Sequence, residues 1–227
     1  MRKDYLPYFI ALSLLSLLHV AAAASEIPAR GENASVVSGA AAESTSPAAL
    51  IGDTVQQLID RLDGDAGSGR GGPEQLYALV SDTVVPHLDM PRIARIVLGK
   101  HARKVGAAEL DEFTGEFQTL LVRTYATSLM AYHGERIDVS PAAQPSAKGT
   151  ATVDLRVHRA DGAPIELSFL AHNRSGPWLV YDIRIEGISL VSNYRSEFSA
   201  ILRNQGIEGL IRTLENRNRQ AQLTANR

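Results

Sequence analysis

Apolar residues recur at helical spacing in the first half of the chain and alternate with polar ones in the second. Ile51, Val55, Leu58 and Leu62 share one stripe of a helix starting near Pro47. Leu76, Leu79, Val80 and Val84 mark a second helix, opened by Pro73 and stopped by Pro86. Five glycines between Gly64 and Gly72 make the connection a loop. Asp89 is the expected N-cap of a third helix, with Pro91 in its first turn, Ile93, Ile96 and Val97 on its face, and Gly99 at its end. The longest helix is expected over residues 107–133. Its stripe of Leu110, Phe113, Phe117, Leu120, Leu121, Thr124, Tyr125, Ser128 and Leu129 is wide enough to need more than one neighbour.

Four strands are expected next, near residues 135–140, 149–160, 163–173 and 177–186. Alternation points Ile137 and Val139, then Ala151, Val153, Leu155 and Val157, then Ile165, Leu167, Phe169 and Ala171, then Leu179, Tyr181, Ile183 and Ile185 inward. Asp154, Arg156, His158, Glu166, His172, Asp182 and Arg184 fall opposite, so the sheet is antiparallel with one solvated face. After Gly187 the period turns helical through Ile188, Val191, Tyr194 and Phe198. Two helices, 188–204 and 207–216, then precede a polar tail that frays over 217–227. The fold class is α+β: a curved four-stranded antiparallel sheet with helices packed on its apolar face, forming a cup that side chains can fill or leave partly open as an apolar pocket.

The N-terminus changes the picture of where this domain works. Met1-Arg2-Lys3, an apolar run from Leu6 to Val20 and the alanines 21–24 match a secretory signal over residues 1–24, with a retained membrane anchor as the rival reading. Residues 25–47 read as a flexible leader and 48–216 as a single domain. No cysteine is present, which excludes a lipidated N-terminal cysteine, disulfides, thiolate metal sites and cysteine nucleophiles. Without the signal, 21 basic and 24 acidic residues remain, a net charge of −3 with neutral histidines. A chain that tracks nucleic-acid phosphates would show a basic excess, so nucleic acid is not an expected partner.

Candidate chemistry is sparse. No zinc-helix, calcium-loop, nucleophile-elbow or P-loop pattern occurs. Asp154 and His158 share a strand face that a neighbouring strand could bring near His172, and a metal site there competes with a plain solvated face. Tyr125, Tyr181 and Tyr194 are either hydrogen-bond donors in a pocket or core aromatics. No catalytic residue and no cofactor are expected. A non-catalytic apolar pocket and a filled core both remain open on the residues alone.

Several stretches in order resemble one family. They are Pro86-His87-Leu88-Asp89-Met90-Pro91-Arg92-Ile93-Ala94-Arg95-Ile96-Val97-Leu98-Gly99-Lys100, Phe113 to Ala126, Val180-Tyr181-Asp182-Ile183, Glu186 to Val191, and Asn193-Tyr194-Arg195-Ser196-Glu197-Phe198 with Ile201-Leu202. Together they are similar to the MlaC, or toluene-tolerance, periplasmic proteins over roughly residues 50–215. His101-Ala102 stands where members commonly carry an aromatic pair, and Gly106-Ala107 replaces their usual capping residues. The resemblance implies a monomeric periplasmic carrier whose cargo is phospholipid. Its implied partners are an inner-membrane ABC transporter with an MCE-domain subunit and an outer-membrane lipoprotein–porin complex, in maintenance of outer-membrane lipid asymmetry. Lipid contacts are then expected from Leu98, Phe117, Leu121, Tyr125, Leu129, Val153, Leu155, Leu167, Phe169, Tyr181, Ile183, Ile188 and Val191. The alternatives are an NTF2-like enzyme acting on a small apolar substrate and a filled-core periplasmic interaction module.

Overall fold

Helix starts follow the chemistry of single residues. In a computed structural model of the chain, α1 (Pro47–Ala66) begins after Ser46, whose Oγ accepts from the Ala49 N–H at 3.1 Å. The described residues are 46–66, 72–127, 129, 132, 134–141, 145–159, 162–174 and 176–225. The expected signal, and the leader up to residue 45, lie outside them. All described residues belong to one compact unit, Ser46–Arg227. α2 (Pro73–Thr83) leads through a 3-10 turn, Val85–His87, to α3 (Met90–Leu98). Asp89 caps α3 as expected, its Oδ1 accepting from the Arg92 N–H at 3.1 Å. Gly99 ends it at φ 56°, and a Cβ there would lie 2.9 Å from Nε of Arg195.

α4 (Ala107–Ala126) starts at Gly106, which has no side chain to cap with. Glu109 supplies the other half of a capping box, its Oε2 accepting from the Gly106 N–H at 2.8 Å. The helix stops at Ala126 rather than near 133. Just beyond, Thr127 Oγ1 donates back to the Thr124 carbonyl, a local bond that competes with helix.

The sheet holds five strands, not four: β1 (Ile137–Val139), β2 (Thr150–Val157), β3 (Ile165–His172), β4 (Leu179–Ile185) and β5 (Ile188–Ser189), in that order and antiparallel throughout. Glu186 at φ 50° and Gly187 at φ 78° form the two-residue turn that folds β5 onto β4. The chain therefore pairs once more before α5 (Leu190–Ala225) starts. Gly206 at φ 69° kinks α5 where two helices were expected to meet. The helix then runs on to Ala225 instead of fraying after 216. Arg217 pairs with Glu197, and buried Asn218 donates Nδ2 to the Glu116 carbonyl and to its Oε2 at 2.7 Å. No helix among the described residues is long and apolar enough to cross a membrane.

Apolar burial falls into three clusters. Phe113, Phe117, Tyr194, Phe198, Leu210 and Leu214 anchor a helical core from α4 and α5, joined by Ile93 and Val97 of α3. Phe113 and Phe117 stack at 5.6 Å, and Phe198 meets Phe117 edge-on at 5.8 Å. The second cluster places Leu50 and Ile51 of α1 over Ala151, Val153, Leu155, Ala171 and Val180 of the sheet. Leu62, Leu76, Leu79 and Ala126 make the third, so the wide stripe of α4 does serve two neighbours.

Candidate functional site

Cross-strand pairing arranges the inner face of the sheet in rows. Ala151, Ala171 and Val180 form one, and Val153, Phe169 and Ile183 the next. A third row, Val139, Leu155, Leu167, Ile185 and Ile188, crosses all five strands. Its cover thins towards β5: Leu155 is 2% exposed, Leu167 and Ile185 are half-buried, and Ile188 is 52% exposed. The opposite face pairs its own charges, with Ser168 Oγ donating to Asp154 at 2.6 Å and Arg156 bridging Glu166 at 2.7 Å. One face is thus an apolar ramp open at one edge, the other a polar lattice.

At the inner end of the ramp, β4 meets the helices. Ile93, Phe117, Leu121, Val180, Ile183, Leu190, Val191 and Tyr194 line an apolar cavity of about 40 Å³, with Leu88 and Asp182. That volume holds about one water, whereas small-molecule pockets run to roughly 300–1,000 Å³. Asp182 is fully engaged: Oδ2 accepts from Ser189 Oγ at 2.8 Å and Oδ1 from the Val191 N–H at 3.2 Å, tying β4 to the first turn of α5. Tyr194 shares side-chain hydrogen bonds with Tyr125 and Thr124, and burial pushes both phenols above their ordinary range. The cavity wall therefore offers apolar surface, the neutral Tyr194 hydroxyl and a carboxylate already bonded on both oxygens.

A family model described as MlaC protein matches residues 52–216. The chain belongs to the MlaC family. Among proteins it resembles is the intermembrane phospholipid transport system binding protein MlaC of Haemophilus influenzae. The two are 25% identical over 183 residues, 79% of this chain and 86% of that one. The toluene tolerance protein ttg2D of Pseudomonas putida is 23% identical over 162 residues, 71% of this chain and 75% of its own. A phospholipid-binding protein from Ralstonia solanacearum, solved in complex with a phospholipid, superposes with a TM-score of 0.71 at 25% identity. That match covers 79% of this chain and 99% of the other. The α+β fold with helices on one face of an antiparallel sheet is thus the MlaC fold.

Within this MlaC-family chain the thirteen candidate residues divide by location. Leu98, Phe117 and Val191 are buried in the helical core, with Leu121, Tyr125 and Tyr181 packed against it. Val153 and Leu155 are buried under α1, with Leu167, Phe169 and Ile183 beside them. Leu129 lies on the third cluster, and Ile188 stands exposed at the end of the ramp. Phe117, Leu121, Ile183 and Val191 come together at the cavity. Leu88, Ile93, Val180, Leu190 and Tyr194 also line it and were missed, as were Val139 and Ile185 of the ramp.

Two readings of facing are corrected. A bulge at the Leu170/Ala171 register shift pairs Ala171 with Val180 and Leu170 with Asp182, leaving Tyr181 as the extra residue. Alternation in β4 is therefore broken: buried Val180 joins Ile183 and Ile185 on the inner face, while Leu179 and Tyr181 do not. Asp182 pairs with Leu170 on the opposite face, as expected, and still lines the cavity. The loose cluster of Asp154, His158 and His172 also dissolves. His158 pairs with Asp138 at 2.7 Å, Asp154 with Ser168, and His172, buried rather than solvated, with Asp89 at 2.7 Å. Among the described residues no group of three or more metal-ligating side chains gathers.

Proposed function

We propose that this protein is a periplasmic phospholipid carrier, and that the apolar ramp from Leu155 through Leu167 and Ile185 to Ile188 receives the acyl chains. The ramp carries the reading because it is apolar across all five strands and goes from buried Leu155 through half-buried Leu167 and Ile185 to exposed Ile188. Two acyl chains of about fifteen methylenes each favour leaving water by ~24 kcal/mol, at ~0.8 kcal/mol per methylene, so a carrier need supply only a dry wall and no chemistry. Phe169, Ile183 and Leu121 extend that wall towards the 40 Å³ cavity. Loading would widen this cavity by parting β4 from α4 and α5, leaving the head group at the exposed β5 edge. The family membership supports exchange of cargo with membrane transport components. In finer detail, we place the chain between an outer-membrane lipoprotein–porin complex and an inner-membrane ABC transporter with an MCE-domain subunit. An enzyme reading would need an unengaged acid or base at the cavity, and Asp182 is spent on capping α5.

Residues 25–227, purified without detergent and extracted with organic solvent, are expected to release a near-stoichiometric diacyl phospholipid detectable by mass spectrometry. A lipid-free, monodisperse protein would instead favour the filled-core interaction module, to which the small cavity lends weight.

A further inference from the structure

A second depression lies where α3 starts, against the end of β3. His172 pairs with Thr150 and Leu179, the row next to Ala151, Ala171 and Val180, so the pleat directs it to the opposite face. There, Asp89, Arg92, Arg95, Ile96, His172 and Arg174 line an open pocket of about 410 Å³. Its floor is rigid. His172 and Asp89 are joined at 2.7 Å with side chains 5% and 19% exposed, and the Asp89 N–H donates to the Val180 carbonyl at 2.8 Å. The Arg174 N–H faces His172 Nδ1 at 3.4 Å, which leaves Nε2 as the protonated nitrogen directed at Asp89.

Three arginines surround this floor, and among the described residues none of them forms an ion pair. Arg92 lies over the Tyr181 ring at 4.6 Å, and its Nε is buried with no hydrogen-bond partner. Arg95 donates to the Pro91 carbonyl at 3.4 Å and to no other group among the described residues. With Asp89 charged, the pocket carries two excess positive charges in a chain whose net charge is −2. A desolvated guanidinium N–H without an acceptor is costly unless something completes it, and guanidinium forks suit oxyanions.

We infer that this pocket binds a phosphate group. Three separate cations around one bowl match a tetrahedral oxyanion better than a planar carboxylate with its two oxygens. The bowl is larger than phosphate itself, leaving room for the organic part of a phosphate ester. This site goes beyond the carrier reading and does not depend on it, because it shares no lining residue with the ramp or its cavity. The phosphate can come from a lipid head group at a membrane surface or from a free phosphate ester.

The test is a titration of ¹⁵N-labelled protein with inorganic phosphate against sodium chloride at matched ionic strength, following the arginine Nε–H resonances. A saturable shift of Arg92 is expected, with Arg92→Gln and the exposed Arg174→Gln each weakening phosphate about tenfold while leaving co-purified lipid unchanged. Sedimentation with phosphatidylcholine vesicles, with and without phosphatidylglycerol, separates the sources. Arginine-dependent binding to the anionic vesicles assigns the head group, and phosphate binding without vesicle binding assigns a free ester. Phosphate acting no differently from chloride would overturn the proposal. So would saturable binding of acetate and succinate but not phosphate, which would mark a site for acidic protein side chains.

Discussion

The helical half and the sheet half of this molecule hold similar apolar residues and use them differently. In the helical half, Phe113, Phe117, Phe198, Leu210 and Leu214 are almost completely enclosed, and their rings interlock at 5.6–6.4 Å. In the sheet half, α1 covers only one part of the inner face, and exposure climbs along a single row from 2% at Leu155 to 52% at Ile188. Helices can turn a stripe towards one another until it is covered, whereas a five-stranded face needs a full layer over it. The uncovered remainder is the surface that the carrier reading assigns to cargo.

The sharpest way to break this comparison is Phe117→Ala. Removing an enclosed ring at the centre of the helical core is expected to cost about 3–5 kcal/mol in urea unfolding. A loss under about 1 kcal/mol would mean that this half is loosely packed as well. Leu167→Asp probes the other half. At a half-buried position it is expected to cost about 1–3 kcal/mol but to strip the co-purified lipid, read by mass spectrometry of the solvent extract. If lipid stays bound, the ramp is not the wall.

Smaller effects follow from titration. Tyr194 is raised above its ordinary 10.0 by burial and by its bond to Tyr125, so the folded state keeps it neutral where the unfolded state ionises. Stability is therefore full below pH 10 and falls above it, by about 1.4 kcal/mol per pH unit for one such phenol. Tyr194→Phe should flatten part of that alkaline fall; an unchanged slope would place the titration elsewhere. The sheet edge carries the weakest effect. Hydrogen bonds from Arg136 and His158 hold Asp138 at about 2, below its ordinary 3.8. Its contribution is present above 3.8 and is lost as pH falls towards 2. Because the pair is solvent-exposed, Asp138→Asn should change acid unfolding only slightly and more at low salt. Equal effects of Asp138→Asn and Phe117→Ala would erase the distinction between the halves.

How legible each half was follows from the range over which its causes act. Asp89 as a cap, Pro73 as a helix opener, the stripes of α1 and α4, and the two-faced sheet all depend on residues a few positions apart, and periodicity reported them. Such rules carry the residue chemistry needed to anticipate a dry, unreactive interior. The ramp itself is half visible in the sequence: Leu155, Leu167 and Ile188 stand among the expected lipid contacts, but Ile185 is only an inward strand residue and Ile188 is expected in a helix rather than in β5. The Glu186-Gly187 turn that makes Ile188 the end of the row is a weak hairpin signal by sequence.

By itself, then, the sequence determined the α+β class, the starts of α1 to α4 and which residue types face inward, because hydrophobic period and capping chemistry are local. Only the tertiary structure decided the phase of β4, where the bulge at Tyr181 exchanges Val180 for Leu179. It also decided the extension of α5 through contacts of Arg217 and Asn218, and the pairing of His172 with Asp89, 83 positions away. A bulge, a distant carboxylate or a covering helix acts through partners brought close by folding, and such partners leave no periodic trace along the chain.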